Sequence, residues 1–240
     1  MFKLRGFHVR SHSFMPDLSL DFHNPATGSP YQNILLNGPS GSGKSYILQS
    51  ISMGWKTAVS SFDLPLSDTV QADMMRADFL VDHEVVPIHY RGIRCDASPS
   101  LAQAFDPEKN KGCVLLYNRL RFHDEFVKWS NTSEKLKFAP TGLCGLYPVL
   151  YDLHCNNIED SVIMIDDIDD GIDEKTTHKC LDYLFRHYRS KKCQFVFTSR
   201  NNLVKKYIES SSLSDSTCFI DLPEPKESIF DQTLSILSDN

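Results

Sequence analysis

Several short stretches of the chain are apolar at almost every position, with polar, glycine-containing segments between them. The clearest are "NILL" (33–36), "VIMI" (162–165) and the apolar part of "CQFVFTSR" (193–200), and "DSTCFIDL" (215–222) is a further candidate. A strand that is buried on both faces of a parallel sheet shows no polar alternation. We therefore predict that these stretches are strands of a mostly parallel central sheet.

Other segments have the spacing of helices. After the first apolar run, four apolar residues recur at helical intervals: Ile47, Leu48, Ile51 and Trp55. The segment "EKTTHKCLDYLFRHYR" (174–189) has one apolar stripe: Cys180, Leu181, Leu184, Phe185 and Tyr188. The segment "SIFDQTLSIL" (228–237) predicts a closing amphipathic helix.

Two further segments alternate or pair like antiparallel strands. Leu18, Leu20 and Phe22 alternate with polar residues, which is typical of a half-buried strand. The segment "ADFLVDHEVVPIHYRGIRC" (77–95) predicts an antiparallel pair. Together with the strand–helix order elsewhere, these patterns predict an α/β fold that has a mostly parallel central sheet and an antiparallel β subdomain.

The composition is that of an ordinary globular protein. Hydrophobic residues make up 41% and charged residues 23% of the chain, and a formal net charge of −6 gives no global attraction to nucleic acid or anionic membranes. No apolar run is long enough to span a bilayer, and no signal-peptide core opens the chain, so we expect no membrane insertion and a cytoplasmic location. The seven cysteines form no CxxC pair, which favours reduced thiols.

The loop "GPSGSGKS" (38–45) is the strongest candidate for chemistry. It fits the pattern GxxxxGK[ST], in which backbone N–H groups converge on phosphate oxygens at a helix N-terminus. We predict that Lys44 contacts the β- and γ-phosphates of ATP and that the Ser45 hydroxyl ligates Mg²⁺. The predicted nucleotide-binding residues of this segment are Gly38, Pro39, Ser40, Gly41, Ser42, Gly43, Lys44, Ser45 and Tyr46.

A second motif, "VIMIDDIDDGID" (162–173), ends an apolar strand in acidic residues. Ligands collect at the carboxyl ends of parallel strands, so we assign Asp166 to the Mg²⁺ shell and Asp167 to water activation as a general base. The alternative is an acidic helix start, because carboxylates favour the positive end of a helix. That interpretation suits Asp169, Asp170 and Asp173.

These motifs and their order resemble the ABC-type ATPase heads of the RecF, SMC and OLD group over nearly the whole chain. The segment "GFHVRSHSF" (6–14) matches the opening strand of that group, and the resemblance implies that Arg10 and His12 contact the nucleotide. The segment "IDDIDDGIDE" (165–174) aligns with the group's "IDEPENGLHP", with Asp167 in place of the catalytic Glu.

The resemblance implies a P-loop NTPase fold with a small helical lobe in a single domain over residues 1–240. Its parts would be an N-terminal lobe (1–100), a helical lobe (101–155) and a C-terminal lobe (156–240). In that group ATP is held between two heads, so the resemblance also implies a homodimer or head-to-head assembly on ATP.

Such an assembly needs a signature loop that touches the facing subunit's nucleotide. The candidate is "FAPTGLCGLYPVLYDL" (138–153), in which Thr141 and Gly142 would take the Ser-Gly positions. Pro148 departs from the pattern, because proline inside a helix removes a hydrogen bond. The alternative interpretation is an ordinary loop that leads into a core helix.

The candidate catalytic residues are Lys44, Asp167 and Ser199. Ser199 stands in "FTSRNNLV" (197–204) where the family's switch His would be. The shorter Asp167 carboxylate lies farther from the attacking water than Glu would, so we expect secure ATP binding with slow or partner-stimulated hydrolysis. The family's glutamine loop could use Gln71 or Gln103.

No heptads and no second catalytic cluster separate the two motifs, so we expect a head that acts through another polypeptide. The leading hypothesis is an ATP-dependent switch or motor subunit of a DNA-repair or bacterial phage-defence complex, with a separate effector such as a nuclease. The alternatives are the nucleotide-binding subunit of a membrane transporter and a small-molecule kinase.

DNA is a possible partner through a basic region. It comprises "RHYRSKKC" (186–193) with Arg200, Lys205 and Lys206. Cations next to tyrosines can contact phosphate and stack on bases. The alternative is a solvated helix end whose cations complement the helix dipole.

Overall fold

The computed structural model describes residues 1–10, 16–60, 75–91, 94–97, 103–106, 108–109, 111–118, 141–188 and 190–224. In chain order the strands are β1 (Phe2–Val9), β2 (Leu18–Asp21), β3 (His23–Asn24), β4 (Ser29–Pro30), β5 (Asn33–Asn37), β6 (Met75–Val81), β7 (Glu84–Arg91), β8 (Arg94–Ala97), β9 (Val114–Asn118), β10 (Val162–Asp166), β11 (Gln194–Ser199) and β12 (Thr217–Asp221). The helices are α1 (Lys44–Ser60), α2 (Thr141–Cys155), α3 (Glu174–Tyr188) and α4 (Asn202–Glu209), and a 3-10 turn spans Ser214–Ser216.

The central sheet has the strand order β12-β5-β11-β10-β9, and every neighbouring pair is parallel. Along β5, Ile34 and Leu36 face a core shared with α1 and the antiparallel strands, whereas Leu35 faces a second core shared with α2, α3 and α4. Met164 and Ile165 of β10 likewise face opposite cores. Because protein covers both faces, the strands have no polar side, as the sequence predicts.

The two predicted helical stripes are confirmed. All four apolar residues predicted for α1 are buried in the first core. All five predicted for α3 are buried in the second core, while Lys179 and Arg186 on the opposite side of α3 are exposed. Each helix therefore covers one face of the central sheet.

A second sheet, in the order β2-β1-β6-β7-β8, is antiparallel throughout. Its β6–β7 hairpin confirms the predicted antiparallel pair. Asp82 and His83 form the two-residue turn with φ of 45° and 84°, the pair of left-handed conformations that a type I′ turn requires. Leu20 and Phe22 are buried, as their alternation predicts.

A buried glutamine joins the two sheets. Gln194 begins β11 and has no solvent exposure, and its Oε1 accepts the Leu4 N–H of β1 at 2.7 Å. Its Nε2 donates to Leu4 O at 3.1 Å and to Tyr31 O at 2.7 Å. Asp160 makes a similar link, since its Oδ1 accepts the Phe2 N–H at 2.7 Å. These side chains satisfy buried backbone groups that no neighbouring strand reaches.

Replacing Gln194 with leucine should lower the free energy of unfolding by about 2–4 kcal/mol, because buried groups of Leu4 and Tyr31 lose their hydrogen-bond partners. Urea unfolding of the wild type and the variant measures this loss, provided that the unfolding free energy depends on urea concentration with the same slope in both proteins. The exposed Gln103 offers a matched control, and Gln103→Leu should change the free energy by less than about 0.5 kcal/mol. Equal stabilities of the two variants would contradict the bridging role of Gln194.

The predicted fold class is confirmed. The chain is an α/β protein with a parallel central sheet and an antiparallel β subdomain. Within the predicted helical lobe, α2 is described and continues through Pro148. The predicted helix at 228–237 lies outside the described residues, and the lobe boundaries stay a prediction. Among the described helices, none combines the length and apolar character needed to cross a membrane.

Candidate nucleotide-binding site

The glycine loop joins β5 to α1, which is the strand–loop–helix order that the motif requires. Gly41 and Gly43 have φ of 82° and 89°, in the left-handed region that favours glycine. Gly38 is needed because of a close approach: a Cβ there would lie 2.9 Å from both Leu222 O and Ser42 Oγ. The shape of the loop therefore depends on glycine at all three positions.

Lys44 lies at the centre of this loop and is 4% exposed. Its Nζ donates to Gly38 O and Pro39 O at 2.7 Å each and to Ser42 Oγ at 3.2 Å. Burial lowers the pKa of Lys44, and the nearby Asp167 carboxylate opposes that shift. No acidic residue of α1 lies in its first turn, so no carboxylate of the helix itself offsets the positive end of the helix dipole.

The structure brings the two sequence motifs into contact. Ser45 Oγ donates to Asp166 Oδ1 at 3.0 Å, although 121 residues separate the two in sequence. Thr198, which is fully buried at the end of β11, donates from its Oγ1 to the same carboxylate oxygen at 2.7 Å. That Oγ1 also accepts the Asp167 N–H at 2.7 Å. Thr198 thus holds both acidic residues, and the sequence analysis did not identify it.

The Ser45 hydroxyl and the Asp166 carboxylate fit a magnesium ion. Both are hard oxygen ligands, and Mg²⁺ in nucleotide sites uses one or two protein oxygens together with phosphate oxygens and water. Asp166 is 5% exposed, and the Thr198 hydroxyl limits its rotation. A carboxylate oriented in this way by a neighbouring hydroxyl is typical of a metal ligand.

Asp167 forms an ion pair that the sequence analysis missed. Its Oδ2 and Oδ1 accept from Arg200 Nη2 at 2.5 Å and Arg200 Nε at 3.3 Å. Asp167 has a φ of 48°, which turns the chain sharply after β10. The hydrogen bond to Asp167 raises the pKa of the Arg200 guanidinium. The basic region, for which the sequence leaves DNA contact and a solvated helix end as alternatives, therefore contributes one cation to this site.

Ser199 is fully buried, and the partners of its hydroxyl group lie outside the glycine loop. Its Oγ donates to Asp169 Oδ2 at 2.9 Å and accepts the Asn201 N–H at 2.9 Å. Its backbone carbonyl accepts the Gly38 N–H at 3.2 Å and so ties β11 to the loop. The catalytic role of Ser199 stays a prediction.

The acidic residues after Asp167 differ in their surroundings. The Asp173 carboxylate accepts the Thr176 N–H at 3.0 Å at the start of α3, which confirms its interpretation as a helix-start residue. For Asp169 that interpretation is wrong, because its carboxylate is bonded to Ser199 and burial raises its pKa. Asp170 is exposed.

The other residues predicted to contact the nucleotide differ in how far the structure describes them. Tyr46 is half-buried in the first turn of α1 and packs against the first core, and Arg10 is exposed just after β1. Thr141 and Gly142 begin α2. His12 and Gln71 lie outside the described residues, and Gln103 is exposed.

Other cations of the basic region pair within the chain. Lys205 Nζ lies 2.5 Å from Asp221 Oδ2, and Arg186 Nη2 lies 3.7 Å from Asp182 Oδ2. Lys191 Nζ lies 5.1 Å from the centre of the Tyr188 ring. These contacts favour the interpretation of the region as a solvated helix end.

No protein-family model and no curated protein matches the sequence. Among solved structures, the chain is similar to the SMC head domain from Thermotoga maritima, with a TM-score of 0.49 and 13% identity over 85% of this chain and 92% of that one. It is similar to cbiO1 from Clostridium perfringens, part of the ABC transporter complex cbiONQ. The TM-score is 0.47 and the identity 12%, over 100% of this chain and 94% of that one. It is also similar to a dimeric post-hydrolysis structure of the ATP-binding cassette MJ0796, bound to ADP and Pi. The TM-score is 0.44 and the identity 13%, over 95% of this chain and 100% of that one. With TM-scores below 0.5, these likenesses assign neither a family nor a function.

Proposed function

We propose that this chain binds ATP together with Mg²⁺ and hydrolyses it slowly to ADP and phosphate. The observation that carries the proposal is the 3.0 Å contact between Ser45 Oγ and Asp166 Oδ1. It joins the glycine loop to the acidic strand end, which is the juxtaposition that a nucleotide with its metal requires. A glycine loop that served only as a turn would need no buried carboxylate beside its serine.

In this proposal the loop residues 38–46 hold the phosphates through their backbone N–H groups and the α1 dipole. The Lys44 ammonium leaves the carbonyls of Gly38 and Pro39 and binds the β- and γ-phosphates. Ser45 and Asp166 would hold the Mg²⁺ ion, which neutralises phosphate charge when bound.

Hydrolysis then needs a group that takes a proton from water. A water oxygen bonds to the γ-phosphorus while the bond from that phosphorus to the β–γ bridging oxygen breaks, and ADP leaves. We assign Asp167 as the base that receives the water proton. The ion pair with Arg200 engages both Asp167 oxygens, so we expect slow turnover until that pair opens. We assign Ser199 a role in holding β11 against the loop.

We further propose that ATP gates a dimer. Two heads would close on the nucleotide, with Thr141 and Gly142 at the start of α2 facing the partner's γ-phosphate and with Arg10 and His12 near the nucleotide. The closed dimer would position a separate effector protein, such as a nuclease, in DNA repair or phage defence. DNA contact through the basic region belongs to the same proposal.

The test is a titration of the purified chain with ATP, with Mg²⁺ or with EDTA, read by calorimetry and light scattering. We expect binding about tenfold tighter with Mg²⁺, which corresponds to about 1.4 kcal/mol. We expect the molecular mass to double only with ATP and Mg²⁺ present. Titration with ADP serves as the control for dimerisation.

The outcomes separate the two levels of the proposal. Absence of ATP binding would contradict the nucleotide site itself. ATP binding by a chain that stays monomeric at saturating ATP, alone and with the products of neighbouring genes, would contradict only the gated dimer. Co-purification with a many-helix membrane protein would favour a transporter subunit over a repair or defence switch.

A further inference from the structure

We propose that Arg200 is a γ-phosphate sensor that exchanges its partner when ATP binds. Without nucleotide it holds Asp167, and with ATP its guanidinium moves to the γ-phosphate and frees the Asp167 carboxylate. The inference rests on the proposed ATP site and adds a residue that distinguishes ATP from ADP and couples that distinction to hydrolysis.

The backbone on both sides of Arg200 is anchored. The preceding carbonyl, Ser199 O, accepts the Gly38 N–H at 3.2 Å, so Arg200 follows directly on a contact with the phosphate loop. The next residue, Asn201, caps α4 by accepting the Leu203 N–H at 2.9 Å. A change of partner therefore requires only side-chain rotation.

The side chain itself is free to make that rotation. The Arg200 side chain is 52% exposed, whereas Asp167 is only 16% exposed. The described contacts of the guanidinium are the two to Asp167. An ion pair that is open to solvent on one side is held weakly, because water competes for both ions. A ligand with higher charge can displace Asp167 from it.

Arg200 also lies near the space in which the γ-phosphate is expected. It binds Asp167, which directly follows the proposed Mg²⁺ ligand Asp166, and it follows Ser199, whose carbonyl accepts the Gly38 N–H of the loop. A guanidinium in this position suits a ligand with several negative charges, because its planar fork matches two oxygens of a phosphate.

The exchange makes ATP and ADP different ligands. The terminal phosphate of ATP extends beyond Lys44 towards Asp167, and its oxygens compete with that carboxylate for Arg200. ADP lacks this group, so Arg200 would stay on Asp167. The pair would therefore open only for the triphosphate, which makes release of the Asp167 carboxylate depend on the presence of the γ-phosphate.

The test compares affinities for a non-hydrolysable ATP analogue and for ADP, each with Mg²⁺. In Arg200→Ala the ratio of the two affinities should fall about tenfold, which corresponds to about 1.4 kcal/mol, with ADP affinity unchanged. Arg200→Lys should keep part of the ratio, because it retains the charge and loses the fork. Arg186→Ala, on the exposed side of α3, is the matched control and should change neither affinity.

A second variant moves the same ratio in the opposite direction. Asp167→Asn removes the charge that competes with the γ-phosphate, so affinity for the ATP analogue should rise about threefold to tenfold while ADP affinity stays constant. A purely structural role for the ion pair would lower both affinities together. Melting temperatures of all variants identify any that unfold.

The outcomes distinguish this inference from the proposed function. An unchanged ratio in both Arg200→Ala and Asp167→Asn, with ATP still bound, would overturn the sensor and leave the ATP site standing. A wild-type chain that binds neither nucleotide would overturn both.

Discussion

Lys44→Ala should weaken ATP binding about 100-fold, because in the proposed site the Lys44 ammonium binds the β- and γ-phosphates and charge-assisted hydrogen bonds contribute about 1.5–3 kcal/mol each. The loop shape depends less on this residue. Gly41 and Gly43 define the backbone turn, and the N-terminus of α1 retains its dipole. The carbonyls of Gly38 and Pro39 lose a donor, so we also expect a small decrease in melting temperature.

The measurement is calorimetric titration with a non-hydrolysable ATP analogue and Mg²⁺. Lys56→Ala is the matched control, because Lys56 is exposed on the same helix away from the loop. It should keep wild-type affinity. Full affinity in Lys44→Ala would mean that the glycine loop is not the phosphate site.

Asp167→Asn should lower the rate of phosphate formation about 100-fold or more, because a positioned general base contributes about 10²–10⁴ and asparagine accepts no proton at neutral pH. Binding should survive, since the change keeps the shape of the side chain. The Asp167 N–H would still donate to Thr198 Oγ1, which holds the turn after β10.

Acid-quenched measurement of phosphate formation with the protein in excess over ATP measures this step directly, because product release does not contribute to the observed rate. Asp170→Asn is the control, since Asp170 is an exposed carboxylate in the same acidic segment. It should hydrolyse ATP like the wild type. If Asp167→Asn did so too, the base would lie elsewhere and Asp167 would be only the partner of Arg200.

Elements that a short-range pattern defines were predicted correctly from the sequence. The apolar stretches at β5, β10 and β11 predicted strands buried on both faces, and they lie in one parallel sheet. The type I′ turn of the β6–β7 hairpin contains no glycine, yet the segment 77–95 still predicts the antiparallel pair. Such patterns depend on residues a few positions apart, so the sequence displays them directly.

Contacts between residues that are far apart in the chain leave no local pattern. The sequence predicts Arg200 in a basic region and Asp169 at a helix start, because neither pattern shows which side chain faces the residue. Thr198 looked like part of a buried strand. Its hydroxyl became recognisable as the residue that orients Asp166 only after β10 and β11 were placed side by side in register.

The sequence by itself therefore determined the glycine loop, the acidic strand end and the α/β order that joins them. These follow from backbone chemistry: glycine adopts the left-handed loop conformation at the lowest cost, and strands covered on both faces must be apolar. Only the tertiary structure determined which polar and charged side chains contact each other. It placed Ser45 on Asp166 and Arg200 on Asp167, because the order β5-β11-β10 brings three strand ends to one edge of the sheet. The strength of an ion pair depends on distance and burial, and strand order sets both.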